Sequence, residues 1–316
     1  MSTPTPFITF IVPVYHIPEA MLCECLQSIL ALPLTAAESE IIVIDDGNET
    51  DIAAHWGTEW RQRIRLISQP NCGQAMARNA GLNHAKGEYI QFVDADDYLL
   101  PTLYAEAIHF LKQHKDADLL GFCIGAGANT KEWVAPSAAQ TGAHFMEGHN
   151  LCTAPWGYAF KKSIAEDIRF RSHKLYEDIE FTTRIYLRAQ GLYATQTMPY
   201  FYRIRRGSVT NSSTVRQHAE RDLPLYEEIL FSIQALSVRP EQQAALDRRV
   251  TQLAMDHVYN AMRYTHSPAY VRGVLHRLKA HGLYPFPNKH YTRKYSLFRH
   301  LVHFAPTRWL LTYVIR

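Results

Sequence analysis

The sequence predicts an α/β protein with a mostly parallel sheet covered by helices on both faces, followed by a helical C-terminal region. The first observation is that apolar runs of strand length alternate with helical patterns through the first 125 residues. The second is that two of these runs end in clusters of aspartate, and the third is a helical pattern beyond residue 213. In sheets of this kind, ligands bind beyond the carboxyl ends of the strands.

Segments rich in β-branched or aromatic residues are predicted to form the strands of the first half of the chain. They are 7–14, 41–44, 64–67, 89–93 and 118–124. Patterns of helical period lie between them at 18–32, 73–85 and 101–114. Pro101 suits the first position of the third helix, because the N–H that proline lacks has no partner there.

The second half of the chain is less regular. Its predicted elements are a loop at 125–149, a strand at 156–160, a helix from about Glu180 to Gln190 and a strand at 200–204. Polar residues 211–213 then form a break, and a helical pattern follows them and extends to about residue 282. We therefore predict one α/β domain over 1–212, with halves of about 1–115 and 116–212, and a helical region over 213–316.

The charge of the chain is small overall but unevenly placed. With 33 basic and 30 acidic residues among 316, the net charge of +3 does not indicate a nucleic-acid partner. A content of 47% hydrophobic and 20% charged residues excludes a disordered chain. No acidic residue follows Asp256, whereas ten lysines and arginines do. A basic end of this kind is typical of a segment that binds a partner or a membrane surface.

The cysteines and the N-terminal residues indicate a cytoplasmic protein. The five cysteines form an odd set without a Cys-x-x-Cys pair, so neither a disulfide framework nor a zinc site is predicted. Residues 1–6 carry no positive charge before the first apolar segment, unlike a secretory signal. No apolar run approaches the roughly 18 residues that a membrane-spanning helix needs, so no span is predicted.

Two aspartate clusters follow predicted strands. Asp45 and Asp46 come after the strand at 41–44, and Asp94 and Asp96 come after the strand at 89–93. Carboxylates at neighbouring strand ends can reach one crevice, where their hard oxygen atoms suit Mg²⁺ or Mn²⁺ and the ion suits a diphosphate. For the second cluster alone, a solvated turn that caps the next helix is an equally good interpretation.

A glycine-containing segment opens the helix that precedes the second aspartate cluster. The free N–H groups near Gly73 could receive a phosphate, and Arg78 could add a charged contact. The segment alone is a weak signal. The chain contains neither Gly-x-Gly-x-x-Gly nor the P-loop motif, so the common dinucleotide and ATPase sites are not indicated.

Four segments taken together, in this order and spacing, are far more specific than any one of them. They are Val12-Pro-Val-Tyr15, Ile44-Asp-Asp-Gly47, the stretch from Asn71 to Gly81, and the stretch from Gly87 to Pro101. This combination closely resembles the family 2 glycosyltransferases of the GT-A fold. The resemblance is strong across residues 7–115, moderate across 156–210 and slight beyond about 215.

The resemblance implies a site for a nucleotide-sugar donor. Its residues would be Pro13, Tyr15, Asp45, Asp46, Gly73, Arg78, Asp94 and Asp96. The first two would line the nucleobase, the adjacent aspartates would contact the base and ribose, and Arg78 would lie near the nucleotide. Asp94 and Asp96 would hold the sugar-nucleotide, Asp96 through a Mn²⁺ or Mg²⁺ ion that neutralises charge on the departing diphosphate.

The resemblance also implies an acceptor side. The segment from Tyr176 to Phe181 matches the Glu-Asp segment of the family, which makes Asp178 the general base and Glu177 its neighbour. Without the resemblance, a carboxylate pair at a helix start is more often a cap and dipole partner. Residues 202–210 resemble a loop that closes over the donor, so diphosphate contacts are predicted for Arg203, Arg205 or Arg206.

Some positions depart from the family pattern. His16 stands where asparagine is usual and Asn48 where serine is usual, which leaves the fine contacts to the base open. Gly157 and Tyr158 replace a more polar pair, which bears on the acceptor. The chain has no Gln-x-x-Arg-Trp segment, so the processive polysaccharide synthases are a poor match and transfer of one sugar per encounter is expected.

The expected function is metal-dependent, inverting transfer of one sugar from a UDP-hexose or UDP-N-acetylhexosamine. The acceptor would be a hydroxyl of a growing surface glycan or lipid-linked oligosaccharide of the lipopolysaccharide, capsule or exopolysaccharide type. One alternative is a sugar-nucleotide nucleotidyltransferase, which normally has a glycine-rich, arginine-containing loop where this chain has Pro13 to His16. Another is a nucleotide-binding peripheral membrane module that has lost the reaction.

The C-terminal tail, residues 291–316, interleaves basic residues with Trp, Phe, Tyr and Leu. Such a segment can lie in a membrane interface, with its aromatic rings at headgroup depth and its cations against anionic lipid. A helix packed on the catalytic domain would have the same pattern. The first interpretation predicts a peripheral protein at the inner face of the cell membrane.

Overall fold

The computed structural model describes residues 5–124, 130–172, 176–204, 214–289 and 291–315, with side chains omitted for 214–221. The predicted boundary between residues 212 and 213, and the predicted diphosphate contacts Arg205 and Arg206, lie outside the described residues. The chain divides into two compact units. The α/β unit comprises Met1–Gly142 and Cys152–Arg203, and the helical unit comprises Ala143–Leu151 and Ile204–Arg316.

Nine strands and eleven α-helices are numbered here in chain order. The strands are β1 Ile8–Val14, β2 Ser39–Asp45, β3 Ile64–Ser68, β4 Tyr89–Phe92, β5 Tyr98–Leu99, β6 Leu119–Gly121, β7 Tyr158–Lys161, β8 Leu192–Ala194 and β9 Tyr200–Phe201. The helices are α1 Glu19–Leu30, α2 Thr58–Arg63, α3 Gln74–His84, α4 Pro101–Gln113, α5 Gly142–Gly148, α6 Glu177–Arg188, α7 Thr214–Gln234, α8 Gln243–Thr265, α9 Pro268–Ala280, α10 Arg293–His303 and α11 Ala305–Val314. These bounds apply to the described part of the chain.

Seven strands form one sheet in the order β3-β2-β1-β4-β7-β6-β8. β1 pairs in parallel with β2 and β4, and β2 pairs in parallel with β3. β7 runs antiparallel to both of its neighbours, whereas β6 and β8 are parallel. The predicted mostly parallel sheet is therefore confirmed, and the carboxyl ends of β1, β2 and β4 lie at one edge.

Helices cover both faces of this sheet, as predicted. All seven residues of β1 are buried, which is why its sequence reads as a continuous apolar run. Phe10 faces α4, where its ring centroid lies 5.7 Å from that of Tyr104. Ile11 faces the opposite side, and a Cβ on Gly81 of α3 would lie only 2.2 Å from its Cγ2. A glycine at position 81 thus permits the close approach of α3 to β1.

Several elements differ from the predicted ones. The strand predicted at 200–204 contains only residues 200–201 and pairs with β5 in a separate two-stranded sheet. The helix predicted from about Glu180 begins three residues earlier, at Glu177. The short elements α2, α5, β5 and β8 were not predicted, because two to seven residues hold too little periodic signal.

The helical unit is built on α8, which is buried along most of its length. The Arg248 guanidinium donates hydrogen bonds to the carbonyl oxygens of Met146 (3.0 Å) and His149 (2.7 Å), which ties residues 143–151 to this helix. The tail forms α10 and α11, and both pack within this unit. The hydroxyl of Tyr295 donates to Asp256 Oδ1 at 2.5 Å. No described helix is both long and apolar enough to cross a membrane.

A partly buried charge network joins three helices of the helical unit. Glu227 of α7 accepts hydrogen bonds from Arg277 of α9 at 2.6 and 3.0 Å, and its Oε2 lies 2.9 Å from Nε2 of His257 on α8. Burial opposes ionisation of Glu227, but the hydrogen bonds from His257 and Arg277 prevail and lower its pKa to about 2. The ionised carboxylate therefore stabilises the packing of these helices.

Replacing Glu227 with glutamine should destabilise the helical unit in a pH-dependent manner. A carboxylate with a lowered folded-state pKa contributes stability above its unfolded value, near 4.5, and loses that contribution as the pH falls toward 2. We expect Glu227→Gln to cost up to about 3 kcal/mol at pH 7, and much less near pH 3, in urea unfolding followed by circular dichroism. Glu228→Gln, at an exposed neighbouring position, is the matched control. A loss that does not vary with pH would contradict the electrostatic origin.

Candidate functional site

Asp46, which follows β2, organises the loop that leads into α3. Its Oδ1 accepts hydrogen bonds from Gln69 Nε2 (2.6 Å) and from the backbone N–H of Cys72 (3.0 Å), and its Oδ2 accepts one from Gly73 N–H (2.8 Å). Asp46 is only 2% exposed. Gly73, with φ of 88°, is the residue before α3 and adopts a conformation that favours glycine. Asp46 therefore shapes the loop containing Gly73, and its predicted contact with the nucleotide stays a prediction.

Asp45 is held by Asn48, which with His16 departs from the family pattern on the donor side. The backbone N–H and Nδ2 of Asn48 donate to Asp45 Oδ1 at 2.9 and 2.6 Å, and Nδ2 also lies 3.1 Å from the carbonyl oxygen of Val14. The Oδ1 of Asn48 in turn accepts the N–H of His16 at 2.8 Å. The two departures are therefore coupled to each other, and together they join the ends of β1 and β2.

The predicted nucleobase residues differ in their access to solvent. Pro13 is buried in β1, where it pairs with Ile44 of β2. Tyr15 lies beyond the end of β1 and is 48% exposed, with its ring centroid 4.2 Å from that of His16. Of the two, Tyr15 offers a ring on which a base could stack, and Pro13 shapes the strand that leads to it.

Arg78 of α3 contacts both the aspartate turn after β4 and the acidic start of α6, which the sequence predicts as separate segments. Its Nη2 lies 2.9 Å from Asp94 Oδ1, and its Nη1 lies 3.3 Å from Glu177 Oε1. The arginine is 3% exposed, and its guanidinium carbon lies 5.5 Å from the ring centroid of Phe170. The predicted donor-side turn and the predicted acceptor-side helix are therefore linked by one buried cation.

Burial and charge act in opposite directions on this cluster. Burial alone would lower the pKa of Arg78, but the carboxylates of Asp94 and Glu177 outweigh it and raise that pKa. Burial raises the pKa of Glu177, and the nearby charge of Asp178 adds to this effect, while Arg78 opposes it. Arg78 thus remains charged and favours the ionised form of Glu177.

The turn after β4 is fixed by its third aspartate, which the sequence analysis did not single out. Asp97 is 1% exposed, and it accepts hydrogen bonds from the Tyr200 hydroxyl (2.8 Å) and from the Arg203 backbone N–H (2.7 Å). Burial, with the charges of Asp94 and Asp96 as smaller contributions, raises the pKa of Asp97 to about 7. Its position directly after Asp96 was the one sequence signal for it, and its partner Tyr200 could not be identified because it lies 103 residues further along the chain.

The remaining residues of this turn determine which carboxylate could face a ligand. Asp94 Oδ1 already accepts hydrogen bonds from Arg78 and from Gln74 Nε2, the latter at 3.0 Å. Asp96 is partly exposed, and its backbone oxygen accepts a hydrogen bond from Arg203 Nε at 2.9 Å. Arg203, predicted to contact a diphosphate, also forms an ion pair with Glu24. In this structure it supports the turn.

The residues present suit a divalent ion only together with a ligand that brings oxygen atoms. Within the described ranges, no group of three or more His, Cys, Asp or Glu side chains is placed to hold a metal. Asp96, partly exposed beside the more constrained Asp94, could supply carboxylate oxygen, and the oxygen atoms of a diphosphate would have to complete the coordination. The predicted metal role of these two aspartates remains a prediction.

The three acidic residues in the first turn of α6 have different surroundings. Glu177 contacts Arg78, and Glu180 is buried with its oxygen atoms 2.6 Å from Arg171 Nε and 2.9 Å from Arg184 Nε. Asp178 is partly exposed. The N-terminal end of a helix favours negative charge, and all three acidic residues lie in the first turn of α6. Ion pairs of Glu177 and Glu180 therefore help to fix the start of α6, and Asp178 and Glu177 are both partly exposed.

Aromatic rings form a stack beside the acidic turn. The ring of Trp156 lies nearly parallel to that of Tyr200, with centroids 4.4 Å apart. The ring centroid of Tyr202 lies 5.6 Å from that of Trp156. Trp156 is 7% exposed, whereas Tyr202 is 37% exposed. The same Tyr200 hydroxyl bonds to Asp97, so the stack and the turn support each other. Tyr202 is therefore the member of the stack that is open to solvent.

Comparison with known proteins gives a family match over half of the chain. The model of "Glycosyl transferase family 2" matches residues 9–171. Glycosyltransferase GlyA of Streptococcus pneumoniae is 32% identical over 222 residues, which is 64% of this chain and 31% of that protein. The glycosyltransferase EpsJ of Bacillus subtilis is 26% identical over 65% of this chain and 63% of its own length. The chain thus spans 31% and 63% of the lengths of these two relatives.

Solved structures with the same fold cover nearly the whole chain. The structure of Staphylococcus aureus TarS residues 1–349 in complex with UDP-GlcNAc has a TM-score of 0.59 and 20% identity, and covers 97% of this chain and 89% of that one. A mannosyltransferase from Pyrobaculum calidifontis, in complex with GDP-Man and Mn²⁺, has a TM-score of 0.56 and 16% identity, and covers 98% and 84%. At these identities the likeness concerns the fold, and it confirms the predicted GT-A architecture with a helical C-terminal region.

Proposed function

Since the chain belongs to glycosyl transferase family 2, as its motifs predict, we propose that it transfers one sugar from a UDP-linked donor to a hydroxyl group of a growing bacterial surface glycan. The observation that carries the proposal is the contact of Arg78 with both Asp94 and Glu177. This contact links the turn after β4, which is suited to a diphosphate, to the start of α6, which is suited to a general base. The family match over residues 9–171 includes the donor motifs, which disfavours the nucleotidyltransferase alternative.

The donor would lie at the edge formed by the ends of β1, β2 and β4. The exposed ring of Tyr15 would stack on the base, and Asp45 would face the ribose side from the end of β2. The turn containing Asp96 would receive the diphosphate. A UDP-hexose or UDP-N-acetylhexosamine is proposed because TarS, a relative named for N-acetylglucosaminyl transfer, has been solved with UDP-GlcNAc.

The chemical step is proposed to be an inverting displacement. The carboxylate of Asp178 takes the proton of the acceptor hydroxyl, while the oxygen of that hydroxyl forms a bond to the anomeric carbon of the sugar. The bond between that carbon and the diphosphate breaks, and its electron pair leaves with the nucleoside diphosphate. Arg78 holds Asp94 and Glu177 on the two sides of the reacting groups. A divalent ion bound at Asp96 would supply a Lewis acid for the leaving group.

The acceptor and the location are proposed from the relatives and from the tail. The names of two relatives describe transfer to poly(ribitol-phosphate), which is a surface polymer, and a glycan or lipid-linked oligosaccharide is therefore proposed as acceptor. Ten basic and no acidic residues follow Asp256, which favours contact of residues 291–316 with an anionic membrane surface. We place the reaction at the inner face of the cell membrane.

A thermal-shift panel with UDP, GDP, CMP and dTDP, each with and without Mn²⁺, tests the donor class. We expect UDP with Mn²⁺ to raise the melting temperature by roughly 5 °C at a hundredfold excess over its dissociation constant. The Asp96→Ala variant should lose the part of the shift that requires the metal, whereas Glu106→Ala, at an exposed position on α4, should keep it. Absence of a shift with every nucleotide would contradict the proposed donor site.

A further inference from the structure

The helical unit carries a groove between α9 and α11 that the proposed transfer reaction does not use. Its volume is about 230 Å³. It is lined from α9 by Pro268, Val271 and Arg272, and from α11 by Ala305, Arg308 and Trp309. The spacing of the lining residues places them on one face of each helix. The groove therefore combines a partly apolar wall with one arginine from each helix.

The two arginines give the groove a positive charge. Arg308 is held in place, because its Nη1 donates to the carbonyl oxygen of Val302 at 2.9 Å and lies 3.4 Å from the Tyr284 hydroxyl. Arg272 is exposed. Since no acidic residue follows Asp256, neither α9, α10 nor α11 contains a carboxylate that could neutralise this pair. A group with negative charge and several acceptor oxygens, such as a phosphate, is the complementary ligand.

The groove adjoins an exposed apolar face on α11. The exposed fractions are 57% for Trp309, 56% for Leu310, 52% for Tyr313 and 62% for Val314. At 3.6 residues per turn these four side chains fall within an arc of about 140°. Trp309 belongs to both the groove and this face. Aromatic and aliphatic side chains beside cations are the pattern of a helix that lies in a membrane interface.

We propose that the groove binds the phosphate headgroup of an anionic lipid while the exposed face of α11 enters the membrane interface. The inference rests on the proposed membrane location and names the site of contact. Arg272 and Arg308 would hold the phosphate between α9 and α11. The ring of Trp309 would lie at headgroup depth beside it, where its apolar face and its N–H both find suitable surroundings.

Co-sedimentation of the full chain with vesicles tests the site. The vesicles contain phosphatidylcholine alone or with phosphatidylglycerol, at low salt. Removing one surface charge should weaken binding to anionic vesicles about fivefold, and we expect this for Lys279→Gln, which lies on α9 outside the groove. Arg272→Gln should weaken binding at least about tenfold more than this control, which corresponds to about 1.4 kcal/mol. Trp309→Ala should weaken it as well.

The outcomes distinguish the proposed headgroup site in the groove from the broader proposals of membrane contact and sugar transfer. Equal losses for Arg272→Gln and Lys279→Gln would overturn the groove as the headgroup site and leave membrane contact through diffuse charge. Failure of the unmodified chain to bind anionic vesicles would overturn both. Displacement by inorganic phosphate, with Trp309→Ala unaffected, would assign the groove to a free phosphate and overturn the lipid. Sugar transfer to a soluble acceptor, measured in parallel, tests the proposed reaction independently of these results.

Discussion

Replacing Asp178 with asparagine should lower the rate of sugar transfer by roughly 100- to 10,000-fold and leave donor binding unchanged. Asparagine has nearly the same shape as aspartate but cannot take a proton from the acceptor hydroxyl. Asp178 lies in the first turn of α6 and is partly exposed. Steady-state release of UDP in the presence of acceptor gives the rate, and the nucleotide-induced thermal shift reports donor binding.

A matched control separates the loss of a base from the loss of a surface charge. Glu166→Gln removes one carboxylate at an exposed position of the same unit, and it should keep near-normal transfer. The acidic limb of the pH profile should disappear in Asp178→Asn, because that limb reports protonation of the base. Retention of more than about a tenth of the normal rate would assign the base to another residue.

The sequence predicts the sheet well because its parallel strands are buried on both faces. β1 and β2 appear as apolar runs that helical patterns separate, and this alternation is typical of parallel strands joined by crossover helices. The antiparallel direction of β7 could not be predicted, because strand direction depends on the path of the connecting chain. The two-residue strands β5 and β9 carry no period of their own and form only where the chain brings them together.

The candidate site was predictable residue by residue but not as a connected arrangement. Asp94 and Glu177 stand in separate motifs, and their common partner Arg78 follows only from the packing of α3 against both. Asp97 was hidden because its partner Tyr200 lies 103 residues further along the chain. Burial decides these roles, since a carboxylate enclosed by the fold must find a donor within it.

The coupling of His16 with Asn48 illustrates the same limit. Each residue, taken singly, departs from the family pattern and leaves the base contacts open. The structure joins them through a hydrogen bond of 2.8 Å between the His16 N–H and Asn48 Oδ1. Asn48 also bonds to Asp45, so the two residues together connect the ends of β1 and β2. Sequence patterns score positions separately, whereas this contact depends on both.

Replacing Arg78 with methionine should cost up to about 3 kcal/mol of stability at neutral pH, because it leaves the partly buried carboxylates of Asp94 and Glu177 without their shared cation. Methionine keeps a similar length and apolar stem, so the cavity that it creates is small. The exposed Arg65→Met variant makes the same chemical change and should alter stability by no more than about 0.5 kcal/mol. Chemical denaturation at pH 7.5 measures both variants.

The pH dependence of this loss identifies its origin. Burial already raises the pKa of Glu177, and removal of Arg78 should raise it further. A carboxyl group with a raised folded-state pKa binds more protons when folded, so the Arg78→Met chain loses stability as the pH rises above the unfolded value near 4.5. The difference in stability from the unmodified chain should therefore narrow when unfolding is measured at pH 4.5.

Adding Glu177→Gln to Arg78→Met should recover part of the stability at pH 7.5. A difference that stays constant with pH, and a double variant without recovery, would show that Arg78 acts through packing alone.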